Sequence, residues 1–266
     1  MHGSVNFKRS TLFKRADEMS KQPQYSRAAG DIVLERTRKF NVLSIGEVHP
    51  EEEETEDQRY KVFEAVTAEY ETARESSRRE RAAAPEAQNL TYGEVPYNAV
   101  AQILAELRKH DPSLFDRKSL TFCDLGSGSG SPLIAAALML PSGTRLVGVE
   151  ILQSLHDLAL QSKKKFDAHQ QNKTNKSTIE FIHGSLLDEP WPESADIILA
   201  NSTCFSIPFF AQIEKMSHAC KKGTFFISLT HCLGADDEYK HWELLGDTHR
   251  FEMSWGAADV CISRRR

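Results

Sequence analysis

The segment Cys123-Asp124-Leu125-Gly126-Ser127-Gly128-Ser129-Gly130 constrains the fold more than any other part of the chain. It joins an apolar run at Leu120–Leu125, which predicts a buried strand, to an apolar run at Pro132–Leu140, which predicts a helix. Its three glycines allow positive φ angles and a close approach of the backbone to a ligand, and Pro132 suits a first helical turn. The pattern therefore predicts a strand, a tight loop and a helix whose N-terminus faces a ligand.

Strands and helices alternate along the chain after Pro85. Strands are predicted at Leu120–Leu125, Arg145–Val149, Ile179–His183, Ala195–Ala200, Gly223–Ser228 and Met253–Ser263. Helices are predicted at Val95–Leu107, Pro132–Leu140, Leu152–Asp167 and Phe209–Cys220. Because several strands are near-continuous apolar runs, we expect an α/β fold with a doubly wound, mostly parallel sheet that helices cover on both faces.

A change of composition near residue 85 predicts a domain boundary. We expect residues 1–85 to form a small, mainly helical N-terminal domain with an acidic loop at Glu51–Asp57, and residues 86–266 to form the α/β domain. From Gln58 to Ala83, apolar residues recur at three- and four-residue spacing, which predicts one amphipathic helix.

Composition and charge exclude several classes of protein. The net charge of −5 argues against a globally basic nucleic-acid binder, and the apolar run Leu133–Leu140 is too short to cross a bilayer. Residues Met1–Arg15 lack the apolar core of a secretory signal, so we expect the cytosol or nucleus. The five cysteines show no paired spacing, which predicts reduced thiols with neither a disulfide framework nor a zinc site, and no metal is expected.

Two carboxylates at predicted strand ends restrict the ligand. Glu150 follows the strand Arg145–Val149, where an acidic side chain can accept hydrogen bonds from both hydroxyls of a ribose. Asp124 lies two residues before Gly126, and this D-x-G-x-G form resembles S-adenosylmethionine enzymes, in which the acid lies beside the methionine amino group. The dinucleotide fingerprint fails because Ser131 stands where its third glycine is required. A purely structural glycine loop is the alternative.

A third element follows the strand Ala195–Ala200. The run Asn201-Ser202-Thr203-Cys204-Phe205 resembles the N-x-x-F/Y element that class I amino-group methyltransferases place beside the transferred methyl group. The alternative is that Asn201 is a helix cap or turn residue.

Residues 90–256 resemble the Disruptor-of-telomeric-silencing family, the histone H3 lysine methyltransferases that lack a SET domain. Tyr92-Gly93-Glu94 and the helix after it match the Y-G-E segment of that family. Four further family elements are matched in order by Cys123–Gly128, Val147–Glu150, Asn201–Phe205 and Ser254–Trp255.

The resemblance implies a class I S-adenosylmethionine-dependent protein-lysine N-methyltransferase that acts in the nucleus on a lysine in the globular core of histone H3. It implies cofactor contacts from Tyr92, Glu94, Asp124, Gly126, Ser127, Gly128, Glu150, Ser185, Leu186 and Asn201. It also implies that Asn201 places the acceptor amine and that Phe205 and Trp255 wall the lysine channel, although both aromatic residues could equally be core residues.

Two positions depart from the family pattern. Gly184-Ser185-Leu186 stands where the family has G-D-F, so a carboxylate that would hold adenine is missing, and Asp188 is the alternative carboxylate. Ile262 stands where the family has a tyrosine, so the channel lid must be built differently.

The nucleosome is the implied partner of a monomeric enzyme. Its DNA phosphates would meet two basic islands, which are Lys163, Lys164, Lys165 and Arg264, Arg265, Arg266. A solvated surface is the alternative for each island. The alternative functions are methylation of a non-histone protein, an RNA or a small molecule, and a chromatin-binding module that has lost catalysis.

Overall fold

The computed structural model describes residues 54–83, 91–170, 176–233 and 241–266. Residues 56–266 form one compact unit. The described helices are α1 Glu56–Val66, α2 Tyr70–Ala83, α3 Tyr97–His110, α4 Ser131–Met139, α5 Gln153–His169, α6 Trp191–Ser194 and α7 Ile207–Ser217. The described strands are β1 Thr121–Leu125, β2 Arg145–Glu150, β3 Thr178–His183, β4 Ile197–Ala200, β5 Phe225–Leu229, β6 Trp242–Leu244, β7 His249–Met253 and β8 Gly256–Arg265.

The strands form one mixed sheet in the order β3-β2-β1-β4-β5-β8-β6, with β7 also paired to β8. Strands β1 to β5 are parallel, whereas β8 runs antiparallel to β5, β6 and β7. The strand order reverses between β1 and β4, and ligands of such sheets bind at the carboxyl ends of the strands beside this switch point. The predicted α/β class and the mostly parallel sheet are confirmed.

The sheet is buried on both faces. Phe122 of β1 packs into a core with α3 and α4, and its neighbour Cys123 packs into a second core with Phe210 and Ile213 of α7. Successive residues of a strand point to opposite faces, so near-continuous apolar strands fill both cores.

The predicted helix Gln58–Ala83 is wrong in one respect, because the structure has two helices there, α1 and α2. The Thr67 hydroxyl and the Thr67 amide both donate to the Phe63 carbonyl, which closes the last turn of α1. The Ala73 amide then donates to the Glu69 carbonyl and starts the next helix. Apolar periodicity continues across this break, so the spacing alone could not reveal it.

The predicted strand Met253–Ser263 matches β8 from Gly256 onward but is wrong at its start, where it runs across the turn of a hairpin. Strand β7 ends at Met253, Ser254 and Trp255 form the turn, and β8 begins at Gly256, whose φ is +121°. The short strand Trp242–Leu244 was not predicted.

The prediction of five free thiols is wrong for one pair. Cys232, after β5, and Cys261, on the neighbouring strand β8, are joined by a disulfide with a Cα–Cα distance of 5.4 Å. The pair is 29 residues apart, and only the pairing of β5 with β8 brings it together. Cys123, Cys204 and Cys220 are free.

The predicted N-terminal domain falls mostly outside the described residues, and its boundary at residue 85 stays a prediction. Of the predicted acidic loop, residues 51–53 lie outside them, whereas Glu56 and Asp57 form the first turn of α1. Helix α2 packs along α5 through the fully buried Ala73.

Of the helices that the structure describes, all are too short or too polar to span a lipid bilayer.

Candidate active site

The glycine loop after β1 has the conformation that its sequence predicts. Gly126, Gly128 and Gly130 have φ angles of +84°, +54° and +83°. The amides of Gly126 and Ser127 donate to the Val149 carbonyl, at 2.9 and 3.0 Å, so the loop folds over the end of β2. Positive φ strains any residue with a Cβ, which explains the glycines.

Glu150 is the last residue of β2, and its carboxylate bonds both to the glycine loop after β1 and to the segment after β2. Its Oε2 accepts a hydrogen bond from the Gly128 amide at 2.8 Å, and its Oε1 accepts one from the Leu152 amide at 2.8 Å. The residue is only 7% exposed, and burial raises its pKa against the lowering effect of these hydrogen bonds. The carboxylate is therefore fixed at the strand end where the sequence predicts a ribose contact.

Asp124 on β1 is the most unusual group of the site. It is 2% exposed, and its Oδ2 has no hydrogen-bond partner among the described residues. Burial, and then the charge of Glu150, raises the pKa of Asp124 to about 8. A buried carboxyl without a partner is costly to the fold. The arrangement suits a ligand that brings a positive charge or a donor.

Tyr92-Gly93-Glu94, which we call the bridging segment, connects the glycine loop to the rest of the site. Glu94 accepts hydrogen bonds from the Ser129 hydroxyl at 2.6 Å and from the Tyr92 hydroxyl, and its amide donates to the Ser254 hydroxyl at 2.9 Å. Burial raises the pKa of Glu94 and of Tyr92. The ring of Tyr92 covers Gly128, where a Cβ would lie 2.8 Å from the ring.

Gly93 is enclosed between two predicted site residues. The Asn201 amide donates to its carbonyl at 2.8 Å, and the indole of Trp255 lies so close that a Cβ at Gly93 would be 2.4 Å from Cε3. Real Cβ contacts are essentially never that short, so the packing requires glycine. The bridging segment thus brings Asn201 and Trp255 together.

Asn201 and Trp255 each keep one unused polar atom. Asn201 Oδ1 and Trp255 Nε1 are buried without a partner among the described residues, as is the Ser127 hydroxyl. Native proteins rarely leave buried polar atoms unpaired, and a bound ligand is one way to satisfy them. Trp255 also packs against the core on the α3 side of the sheet, so it serves the fold as well.

Phe205 lies at the same edge, after a short 3-10 turn at Ser202–Cys204. Its ring packs edge-on against Phe209, with centroids 5.0 Å apart. No hydrogen bond that the structure gives within the described residues joins Phe205 to the bridging segment.

Sequence reasoning missed the loop after β5. Thr230 has a φ of +72°, which is rare for a β-branched residue, and its amide donates to the Asp259 carbonyl at 2.9 Å. The next residue, His231, places Nε2 3.2 Å from the Phe205 carbonyl and stacks on Phe210 at 4.9 Å. Burial lowers the pKa of His231. A strained backbone held from several sides is typical of functional loops.

Three serines were missed as well. Ser129 and Ser131 bond to Glu94 and to each other, and Ser254 receives the Glu94 amide. For Ser129 a signal existed, because it lies inside the glycine loop, whereas Ser254 is 160 residues from Glu94.

Ser185 and Leu186 follow β3 at the same edge as Glu150. The Ser185 hydroxyl accepts from the Leu187 amide at 3.2 Å, and Leu186 is buried. Asp188 is exposed, whereas the Glu189 carboxylate lies 3.1 Å from the position of a Cβ at Gly184. Glu189 is therefore the carboxylate beside the position where the family acid is missing. Ile262 is buried on β8 opposite Ile227 and cannot line a channel lid.

The two basic islands lie away from this edge. Arg264 pairs with Phe225, the first residue of β5, and so stands at the amino edge of the sheet. Arg265 donates to the carbonyls of His241 and His218, both at 2.9 Å. Lys164 is exposed on α5, roughly 16 Å along the helix from its N-terminus.

Within the described ranges, no three histidine, cysteine or acidic side chains are grouped to hold a metal ion.

The sequence matches a family model described as histone methylation protein DOT1 over residues 80–242. A histone-lysine N-methyltransferase from Gibberella zeae, named as H3 lysine-79 specific, is 26% identical over 144 residues. That match covers 52% of this chain and 27% of the relative, so the chain spans about a quarter of the relative's length.

Two solved structures are similar to this chain. A candidate RNA methyltransferase from Pyrococcus horikoshii has a TM-score of 0.51 and 12% identity, with 78% of this chain and 96% of that chain covered. A candidate O-methyltransferase from Klebsiella pneumoniae has a TM-score of 0.48 and 14% identity, with 78% and 94% covered. The first likeness supports a methyltransferase fold.

Proposed function

Because this chain belongs to the DOT1 family of histone methylation proteins, we propose that it transfers a methyl group from S-adenosylmethionine to a lysine in the globular core of histone H3 on nucleosomes. The observation that carries the proposal is the bridging segment, which joins the glycine loop and Glu150 on one side to Asn201 and Trp255 on the other. Methyl transfer requires the donor and the amine acceptor to lie next to each other, and the bridging segment joins the residues proposed to bind each of them.

The unpaired atoms of the site fit the methyl donor. Asp124 Oδ2 would accept from the methionine amino group, and Glu150 would accept from the ribose hydroxyls. Gly126, Ser127 and Gly128 would cradle the methionine part, with Tyr92 and Glu94 as the wall of this pocket. Ser185 and Leu186 would lie at the adenine, where Glu189 would replace the missing acid. When bound, S-adenosylmethionine supplies an electrophilic methyl group on a sulfonium.

The acceptor side requires no strong base. Asn201 Oδ1 can accept from a lysine amine, and its Nδ2 is held by the Gly93 carbonyl, which fixes the side chain. Phe205 and Trp255 would wall the channel, where desolvation lowers the pKa of a lysine and favours the neutral amine that attacks. Orientation of the amine would then dominate the rate.

The nucleosome is the proposed partner and the nucleus the proposed location. The relative named for H3 lysine 79 supports this choice of acceptor. DNA phosphates would be met by Lys163, Lys164 and Lys165 and by Arg264, Arg265 and Arg266, which stand outside the site.

A methyl-transfer assay with radiolabelled S-adenosylmethionine tests the proposal. The assay offers nucleosomes, free histone H3 and RNA to the wild type, to Asn201→Ala and to Gln212→Ala. Gln212 is an exposed amide residue on α7 and serves as the matched control. Label should appear on nucleosomal H3, fall about a hundredfold in Asn201→Ala and stay unchanged in Gln212→Ala. Label on RNA instead, or nucleosome binding without any transfer, would contradict the proposal.

A further inference from the structure

Glu80, in the last turn of α2, lies against the N-terminus of α5. Its Oε1 accepts from the Gln153 amide at 2.9 Å and its Oε2 accepts from the Ser154 amide at 2.8 Å. The first amides of a helix have no partner inside the helix, and a carboxylate there also meets the positive end of the helix dipole. Burial acts to raise the pKa of Glu80, but the hydrogen bonds from Ser154 and Gln153 together outweigh it, and the pKa is lowered.

Two carboxylates accept hydrogen bonds from the backbone amides at the start of α5, and each binds different ones. Glu150 accepts from the Leu152 amide, and Glu80 accepts from the next two. The second oxygen of Glu150 accepts from the Gly128 amide in the glycine loop. Without Glu80, the amides of Gln153 and Ser154 would lose their acceptor. We expect Glu150, which already bonds to the neighbouring Leu152 amide, to turn toward them and to release the Gly128 amide.

Further contacts fix Glu80 in this place. Ala73 of α2 is fully buried against Leu152 and Leu155 at the start of α5. Tyr70, at the beginning of α2, stacks on Tyr92 of the bridging segment with ring centroids 6.0 Å apart. Helix α2 therefore contacts the start of α5 through Ala73 and the bridging segment through Tyr70. These contacts help to position Glu80 in addition to its own hydrogen bonds.

We propose that Glu80 is a positioning residue of the cofactor site: it occupies the amides of Gln153 and Ser154 and thereby keeps Glu150 on Leu152 and Gly128, oriented for the hydroxyls of a ribose. This inference rests on the proposed function, because it takes the ligand to be an adenosine-bearing cofactor. The inference goes beyond the proposed function because it assigns a role in cofactor binding to helix α2.

The test combines protein variants with two ligands. Calorimetry measures the affinity of S-adenosylhomocysteine and of its 2′-deoxy analogue for the wild type and for Glu80→Ala. In the wild type, removal of the 2′-hydroxyl should weaken binding about tenfold. In Glu80→Ala, S-adenosylhomocysteine should bind about tenfold more weakly, and the penalty for the missing hydroxyl should shrink to about twofold because Glu150 no longer faces it.

Glu75→Ala is the matched control, because Glu75 is on the same helix and pairs with Arg79 of that helix at 3.1 Å. It should leave both affinities unchanged. An equal loss for both ligands in Glu80→Ala would show a general loss of structure and overturn the proposal, as would no loss. If Glu80→Ala does not fold, Glu80→Gln replaces it, since the amide keeps one acceptor and should give a smaller shift in the same direction.

A second measurement needs no ligand. Hydrogen exchange of the Gly128 amide should be faster in Glu80→Ala than in the wild type and in Glu75→Ala, because Glu150 leaves that amide. Failure of the wild type to bind S-adenosylhomocysteine would reject the proposed function, whereas unchanged exchange at Gly128 would reject the role of Glu80. The two failures are therefore distinguishable.

Discussion

The two halves of the proposed site differ in how they are built. The donor half consists of the loops after β1 and β2, with Asp124 and Glu150, which are 2% and 7% exposed. The acceptor half consists of the loops after β4 and β5 and the turn at Ser254 and Trp255. Its Asn201 and Trp255 are half-buried.

The difference shows two ways of fixing functional groups. In the donor half, Glu150 is held by the backbone amides of Leu152 and Gly128, which are 2 and 22 residues away, so the geometry is set by the loops at two neighbouring strand ends. In the acceptor half, the side chains come from distant segments, and packing around Gly93 and His231 places them. Changes in the donor half should therefore affect cofactor affinity, and changes in the acceptor half should affect turnover of the nucleosome.

The largest effect is expected for Asp124→Asn. Burial raises the pKa of Asp124 from 3.8 to about 8. The ligand-free protein therefore loses stability as the pH rises from about 4 to about 8, because the unfolded chain ionises this carboxyl near pH 4 whereas the folded protein keeps the proton up to about pH 8. The variant should be more stable at pH 8 by about 1–3 kcal/mol in urea denaturation. It should bind S-adenosylmethionine about a hundredfold more weakly, because no carboxylate meets the amino group.

The same substitution tests a pH dependence. Because the wild type must release the Asp124 proton to bind the amino group, its affinity should rise about tenfold between pH 6.5 and 7.5 in calorimetry. Asp124→Asn should show no such rise. A wild-type affinity that is constant over this range would mean that Asp124 does not meet the cofactor's charge.

A smaller effect, confined to the acceptor half, is expected for His231→Ala. Loss of the contact with the Phe205 carbonyl and of the stacking on Phe210 should lower kcat/KM for nucleosomes about fivefold. The Kd for S-adenosylhomocysteine should stay unchanged. His231→Gln should recover part of the activity, since its amide can donate to the same carbonyl, and His110→Ala, at the exposed end of α3, should match the wild type. A change in the Kd for S-adenosylhomocysteine in His231→Ala would refute the prediction that the two halves of the site act separately.

The smallest effect is expected from the basic islands, which belong to neither half. Replacing Lys164 and Lys165, or Arg264 and Arg266, with glutamine should weaken nucleosome binding about threefold and reduce its salt dependence. Arg265 is retained because its side chain holds two backbone carbonyls. Lys61→Gln, an exposed residue paired with Asp57 on α1, is the control. Unchanged binding and salt dependence would remove the islands from the proposed interface.

Much of the fold could be predicted from local pattern. Apolar runs located β1 to β5 and the helices α4, α5 and α7, because burial on both faces leaves a continuous signal, whereas the four-residue helix α6 was missed. The break between α1 and α2 and the β7–β8 hairpin were missed, since Thr67 and the turn at Trp255 act through hydrogen bonds and packing that periodicity does not reveal. The disulfide between Cys232 and Cys261 depends on strand pairing across 29 residues.

The sequence by itself determined the glycine loop, the carboxylates at two strand ends and the family, because these residues are contiguous or lie at fixed places on a regular sheet. Only the tertiary structure decided that Gly93 lies between Asn201 and Trp255 and that Glu80 takes the amides beside Glu150. These contacts join residues more than 70 positions apart. Their geometry follows from how whole elements pack, and no local periodicity encodes it.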